Sequence, residues 1–284
     1  MPKVGIVTDS TCDMEPAKLA ELGVEMVPLT VHFGDEHYRD WIDLRPAEFY
    51  ARLAKAETLP TTSQPSPAEF SAAYTRLAEQ GVDEIVVITL SAALSGTYES
   101  ATLASRGAPV PIRVVDGRKA SHGTALIVLA ATEARDAGMD AAAIEARART
   151  IVESSRLFFL LDTLEFLVKG GRAGKATGLA AALLNIKPVL EVNADGIIEP
   201  YKKVRGRAQA VGALAQHIAE ESHRLGRLRM ILLHAAIEGE AEEVEAALVA
   251  SGADVVIEAH GEIGAVIGTY TGPGAVGVAY YPID

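Results

Sequence analysis

The chain has 284 residues, 49% hydrophobic and 23% charged, an ordinary globular make-up with room for two domains. A net charge of −12 and only 5% aromatic residues argue against nucleic acid or an anionic membrane surface as the main partner. The lone cysteine, Cys12, excludes an intrachain disulfide and any Cys-rich metal site.

Met1 to Lys3 lead straight into a strand over Val4–Thr8, and the chain reaches Asp9 too early for a signal peptide. No apolar run is long enough to span a bilayer, so a cytoplasmic protein is expected. After Asp9-Ser10-Thr11, Asp13 and Pro16 start a helix that Gly23 stops. Val24 to Phe33 reads as a second strand and Leu44 to Lys55 as a helix. Thr62, Ser63 and Gln64 lie in a proline-stiffened loop, with side chains free to face a ligand or simply solvated. Ser66-Pro67-Ala68-Glu69 is a capping box that opens the next helix, which runs to about Gln80.

The β-branched run Glu84–Leu90 reads as a strand buried on both faces, and Tyr98 to Ala104 as a helix. Between them Ser91, Ser95, Gly96 and Thr97 occupy a strand-to-helix turn. Unpaired N–H groups and the helix dipole favour a small anion there, although Ser95 also fits a plain N-cap. Ile112–Asp116 is a further strand, and helices follow over Ala120–Ala137 and Asp140–Glu153. This alternation predicts a parallel sheet covered on both faces, with ligands beyond the carboxyl ends of its strands.

Near residue 155 the pattern changes. Leu157–Leu161 is strongly apolar, Asp162–Val168 a short helix, and Lys169–Lys175 a Gly-rich loop. A small-residue helix over Ala176–Leu184 precedes strands Ile186–Val192 and Ile197–Val204, joined by an Asp195-Gly196 turn as a hairpin. Helices Ala208–Leu225 and Glu240–Ala250 alternate with strands Met230–His234, Val255–Ala259, Ala265–Thr269 and Ala275–Tyr281. The fold class expected is α/β in two domains: residues 1–155 around a mostly parallel sheet, and residues 156–284 around a mixed sheet with helices.

Residues 169–207 hold Lys169, Arg172, Lys175, Lys187, Lys202, Lys203, Arg205 and Arg207 against Glu191, Asp195 and Glu199, or +8 − 3 = +5 in a chain of −12. Such an island suits an anionic head group or an acidic partner surface, or is simply a solvated face. There is no phosphate loop, zinc signature or nucleophile elbow. The seven histidines lack metal-ligand spacing, and no metal site is expected.

Val7-Thr8-Asp9-Ser10-Thr11-Cys12-Asp13, Thr61-Thr62-Ser63-Gln64-Pro65-Ser66-Pro67, Leu94-Ser95-Gly96-Thr97-Tyr98, Lys169-Gly170-Gly171-Arg172, Lys203-Val204-Arg205-Gly206-Arg207 and Thr271-Gly272-Pro273-Gly274 together resemble the DegV family from end to end. The resemblance implies a long-chain fatty acid such as palmitate, stearate or oleate in an apolar tunnel between and within the two domains. Its carboxylate would be held at Thr62, Ser63, Ser95, Gly96 and Tyr270. It further implies a separate ATP-dependent kinase subunit that makes the acyl phosphate and docks on Arg172, Arg205 and Arg207. On this reading the chain is a carrier with no catalytic residue or cofactor of its own, touching a membrane transiently for ligand exchange. One departure stands out: many members have histidine where Tyr270 stands, and a phenol donates one hydrogen bond but carries no positive charge. The rival readings are a phosphotransferase or hydrolase using Ser95 or Asp9 directly on a small anion, and a binding module for another lipid or polar acid.

Overall fold

Val4–Asp9 and Glu84–Thr89 are β-branched runs without a polar face, and they form the centre of a parallel sheet, buried along almost their whole length. The structure, a computed structural model, describes residues 2–182, 187–236 and 239–283. Residues 183–186, which hold the end of the expected 176–184 helix and the start of the expected 186–192 strand, lie outside the described residues.

In chain order the first half runs β1 (Val4–Asp9), a 3-10 turn at Ser10–Cys12, α1 (Pro16–Glu21), β2 (Val24–Val27), β3 (Thr30–Phe33), β4 (Glu36–Arg39), α2 (Pro46–Leu53), β5 (Thr61–Ser63), α3 (Pro67–Glu79), β6 (Glu84–Thr89), α4 (Thr97–Ser105), β7 (Ile112–Asp116), α5 (His122–Asp136) and α6 (Ala141–Ser154). The second half follows with β8 (Arg156–Leu160), α7 (Glu165–Lys169), a 3-10 stretch at Gly174–Ala182, β9 (Lys187–Val192), β10 (Ile198–Val204), α8 (Arg207–Leu225), β11 (Leu228–His234), α9 (Glu240–Ser251), β12 (Val255–Glu262), α10 (Ala265–Thr271) and β13 (Val276–Pro282).

Three sheets result. The parallel sheet has the order β2-β1-β6-β7. The second has the order β10-β9-β8-β13-β11-β12 and is mixed: only β11 and β12 run parallel. The third is a small antiparallel sheet, β4-β3-β5. All four parallel strands lie within residues 4–116 and all six mixed-sheet strands within 156–282, and we propose residues 1–155 and 156–284 as two lobes. Helix α5 joins them. It is buried on nearly every side and packs on β1 and β6 as well as β11 and β13. Gly123, Ala125, Ala130, Ala131 and Ala134 keep it slim enough to lie between two sheets. One apolar cluster therefore runs from Ile6 through Leu126 to Phe159 and Ala279.

Three expectations need correction. Val24–Phe33 is two strands in two different sheets, because Pro28 interrupts the ladder after Val27. Thr61–Ser63 is a short strand on the edge of β3 and not a free loop. Ala265–Thr269, a β-branched run, belongs to a helix, α10, whose N-terminal amide at Ala265 is bonded to the Asp40 carboxylate. Strand β4 has no counterpart in the sequence reading.

Candidate functional site

The C-terminal ends of β1, β6 and β7 point toward the mixed sheet, and an apolar cavity opens there. Its lining is predominantly apolar, with a few polar groups, the make-up of a small-molecule site. Leu157, Phe159, Val192, Leu233, Ile263 and Val266 line its interior, while Thr62, Ser95, Arg172 and Tyr270 supply polar groups.

The β6–α4 turn is pinned from both neighbouring strands. Asp9, ending β1, accepts from Leu90 N at 2.8 Å, and Asp116, ending β7, accepts from Ala92 N at 3.1 Å. Ser91 N donates to Lys119 O (2.8 Å), and Ser91 Oγ donates to Gly196 O (2.9 Å), tying the turn to the β9–β10 hairpin. Ser91 is thus committed to the scaffold. Ser95 is not: among the described residues its hydroxyl contacts only Thr97, the Thr97 Oγ1 lying at 2.9 Å, and half-buried it keeps capacity for a ligand. The expected N-cap role at Ser95 is corrected, since the residue flanking α4 is Gly96.

Thr62 Oγ1 lies 2.6 Å from the Tyr270 hydroxyl, across 208 positions of sequence. Strand alternation decides which of the paired hydroxyls on β5 faces the cavity. Thr62 turns inward to α10, and Ser63 turns outward, where its hydroxyl meets His32 Nε2 at 2.9 Å. The expectation that Ser63 touches a ligand carboxylate is therefore corrected. Gly96 likewise stays off the cavity wall: Gln64 clasps it, donating to Gly96 O (3.2 Å) and Ser100 Oγ (3.1 Å), and a Cβ at position 96 would sit 2.3 Å from Gln64 Oε1. Its contribution is to let β5's loop close on the start of α4.

Arg172 was expected on a partner-docking face, and the structure places it at the cavity mouth. Its guanidinium lies 4.9 Å from the Tyr270 ring centroid, a cation–π distance. Nε donates to Leu94 O (3.3 Å) and Nη1 to Gly170 O (2.9 Å), which leaves Nη2 without a partner among the described residues. The cation that Tyr270 lacks thus stands directly beside it.

The rest of the basic island divides in two. Lys169 pairs with Glu165, Lys175 with Glu199 and Lys187 with Asp162. Arg207, expected as a docking residue, is largely covered and faces Asp162, Glu240 and Glu243, joining the starts of α8 and α9; its charge is engaged within the chain. Lys202, Lys203 and Arg205 are exposed and make no ion pair among the described residues.

Neither group proposed for direct chemistry is set up as a nucleophile. Asp9 is completely buried, its oxygens accepting from Thr11 and Leu90, and burial pushes its carboxyl up. No histidine, lysine or carboxylate bonds to Ser95 Oγ among the described residues. No cluster of three or more potential metal ligands occurs among them either.

Comparison with known proteins agrees with this architecture. A family model described as DegV, an uncharacterised protein of the DegV family, matches residues 3–283. The chain belongs to the DegV family. A DegV domain-containing protein of Deinococcus radiodurans is 39% identical over 283 residues, covering 99% of both chains. Among solved DegV-family structures, a protein from Thermus thermophilus described for fatty acid binding superposes with a TM-score of 0.92 at 35% identity, over 99% of this chain and 100% of that one. A stearic acid-binding protein from Eubacterium ventriosum gives a TM-score of 0.89 at 27% identity, over 99% and 98%. No helix of this DegV chain is long and apolar enough, among the described residues, to cross a membrane.

Proposed function

We propose that this DegV chain binds one long-chain fatty acid, its tail in the apolar cavity and its carboxylate at the mouth. The observation that carries the reading is the composition of that cavity: mostly apolar, with Thr62, Tyr270 and the Arg172 guanidinium in mutual contact and Ser95 on the same wall. Tail burial gains roughly 0.8 kcal/mol per CH₂, so the tail supplies most of the affinity. The head has only to be satisfied, because a buried carboxylate without partners is very costly. Ser95 and one hydroxyl of the bonded pair Thr62–Tyr270 donate to it, and the free Nη2 of Arg172 supplies the charge that hydroxyls cannot. Relatives described as binding fatty acids, stearic acid among them, support the ligand class.

The finer reading is a carrier. The bound carboxylate lies at the mouth, within reach of a second protein, and a separate ATP-dependent kinase subunit converts it to the acyl phosphate there. The exposed Lys202, Lys203 and Arg205 offer that subunit an acidic-complementary surface. Extraction of lipid from the purified chain, followed by mass spectrometry, tests the core of the proposal. A C16 or C18 acid in near one-to-one amount is expected. A chain that is empty as purified and takes up neither palmitate nor stearate overturns it.

A further inference from the structure

Helix α10 forms one wall of the cavity, contributing Val266, Ile267, Tyr270 and Thr271. It has seven residues, too few to be stable by itself, and no side chain of its own flanking residue caps it. What holds its start comes from the far end of the chain. Asp40 Oδ1 accepts from Ala265 N at 3.1 Å, across 225 positions of sequence, and the Val266 amide faces the same carboxylate. The Gly264 amide faces Asp13, and a Cβ at position 264 would lie 2.5 Å from Asp13 Oδ1.

Each carboxylate also grips another part of the cavity wall. Asp40 Oδ2 accepts from Ser10 Oγ (2.8 Å), which in turn accepts from the amide of Leu29 (3.1 Å), a cavity residue. Asp13 Oδ2 accepts from Ser121 Oγ (2.5 Å), another cavity residue, and Asp13 Oδ1 faces Trp41 Nε1 at 3.4 Å. Both carboxylates are buried, at 0% and 2% exposure, and neither touches the cavity.

We infer that Asp40, seconded by Asp13, is a positioning residue of the fatty-acid site: it clamps the start of α10 against the Ser10 turn and so places the Tyr270 hydroxyl opposite Thr62. The inference rests on the fatty-acid reading above. Two physical features support it. A carboxylate at a helix start satisfies amides that have no partner within the helix and complements the helix dipole. A carboxylate that is buried must keep its donors, so the clamp resists displacement. Burial raises Asp40 to about 7, and burial together with the neighbouring Asp40 charge holds Asp13 well above the usual carboxylate range. The chain's only tryptophan, Trp41, sits against this clamp and reports on it.

The test compares palmitate with hexadecanol, which has the same tail and no carboxylate, in delipidated wild type, Asp40→Asn, Tyr270→Phe and the double variant. Asp40→Asn is expected to cut the preference for the acid over the alcohol about tenfold, the size of one hydrogen bond to a charged group. Hexadecanol affinity should hold, and adding Tyr270→Phe should cost little more, because both changes act through one hydroxyl. Palmitate should also shift Trp41 emission in the wild type more than hexadecanol does. Equal loss of acid and alcohol affinity, or full additivity of the two substitutions, assigns Asp40 to general stability and overturns the inference. Should Asp40→Asn fail to fold, Ser10→Ala, which removes one of its donors, is measured the same way, and a Trp41 response indifferent to the head group overturns the inference on its own. A wild type that binds neither lipid overturns the fatty-acid reading itself, and this inference with it.

Discussion

Two polar clusters bound the cavity. At the mouth, Thr62, Ser95 and Tyr270 are half-buried and Arg172 is exposed, each with hydrogen-bonding capacity left over. Behind the wall, Asp9, Asp13 and Asp40 are almost wholly buried, and each of their oxygens faces a donor from the chain itself. The difference separates binding from positioning. A polar group that is saturated inside the protein holds geometry, whereas one with spare valence facing a cavity is available to a ligand. Charge alone misleads here, since the three carboxylates have the more chemically suggestive appearance and no access.

The strongest way to break the comparison is to fill the space between the clusters. Ile267→Trp, at a half-buried position facing the cavity, should displace at least four methylenes of tail and weaken palmitate binding by ~3 kcal/mol, or more than a hundredfold. Calorimetry or displacement of a fluorescent acid measures it, and an unchanged affinity removes the tail from this cavity. Next, Thr62→Val with Tyr270→Phe keeps shape and removes two mouth hydroxyls. A loss of about 2 kcal/mol for palmitate, with little for hexadecanol, is expected. Equal losses for both would make the pair scaffold.

The buried cluster is sharpened by pH. A carboxyl raised from 3.8 to about 7 binds more protons folded than unfolded between those values, so Asp40 contributes stability at low pH that is lost as pH rises through that window. Asp9 and Asp13, also raised, face the same region, with Tyr50 beside them. His122, lowered to about 3 by burial, acts in the opposite direction below pH 6.5, so the wild-type profile alone is ambiguous. The difference between wild type and Asp40→Asn isolates the group. Denaturant titrations from pH 4 to 7 should show the variant gaining on the wild type by up to ~1.4 kcal/mol per pH unit. A constant difference would mean that Asp40 ionises normally.

The smallest effects concern the basic island. Arg207→Ala leaves Glu240 covered and without its cation and should lower stability by about 1–2 kcal/mol, seen as a fall in Tm. Arg205→Ala should change stability by less than about 0.5 kcal/mol and leave fatty-acid binding intact. Only phosphorylation by a kinase subunit should fall.

Much of this could be read in the linear chain. The runs Val4–Thr8 and Glu84–Leu90 read as strands because a parallel sheet buries both faces of its central strands, and the resulting continuous apolar pattern needs no tertiary information. The capping box at Ser66–Glu69 is present with both of its bonds, because it is closed within four residues. Thr62, Ser95 and Tyr270 stand out in the sequence by motif resemblance; all three line the cavity, with Thr62 bonded to Tyr270. What escaped depends on partners distant in sequence. Ala265–Thr271 has strand-like residues, and its helix is anchored by Asp40. Ser63 is chemically equivalent to Thr62, and only the pairing of β5 with β3 determines which of them turns inward. Arg172 and Arg207 look alike as basic residues; one lies over Tyr270 and the other between three acids because of where α7, α8 and α9 pack. The sequence by itself determined which segments are buried and which residue types are at hand, since burial pattern and capping are local. Tertiary structure alone decided which hydroxyls keep a free valence and which carboxylates lose theirs, since that depends on partners up to 225 positions away.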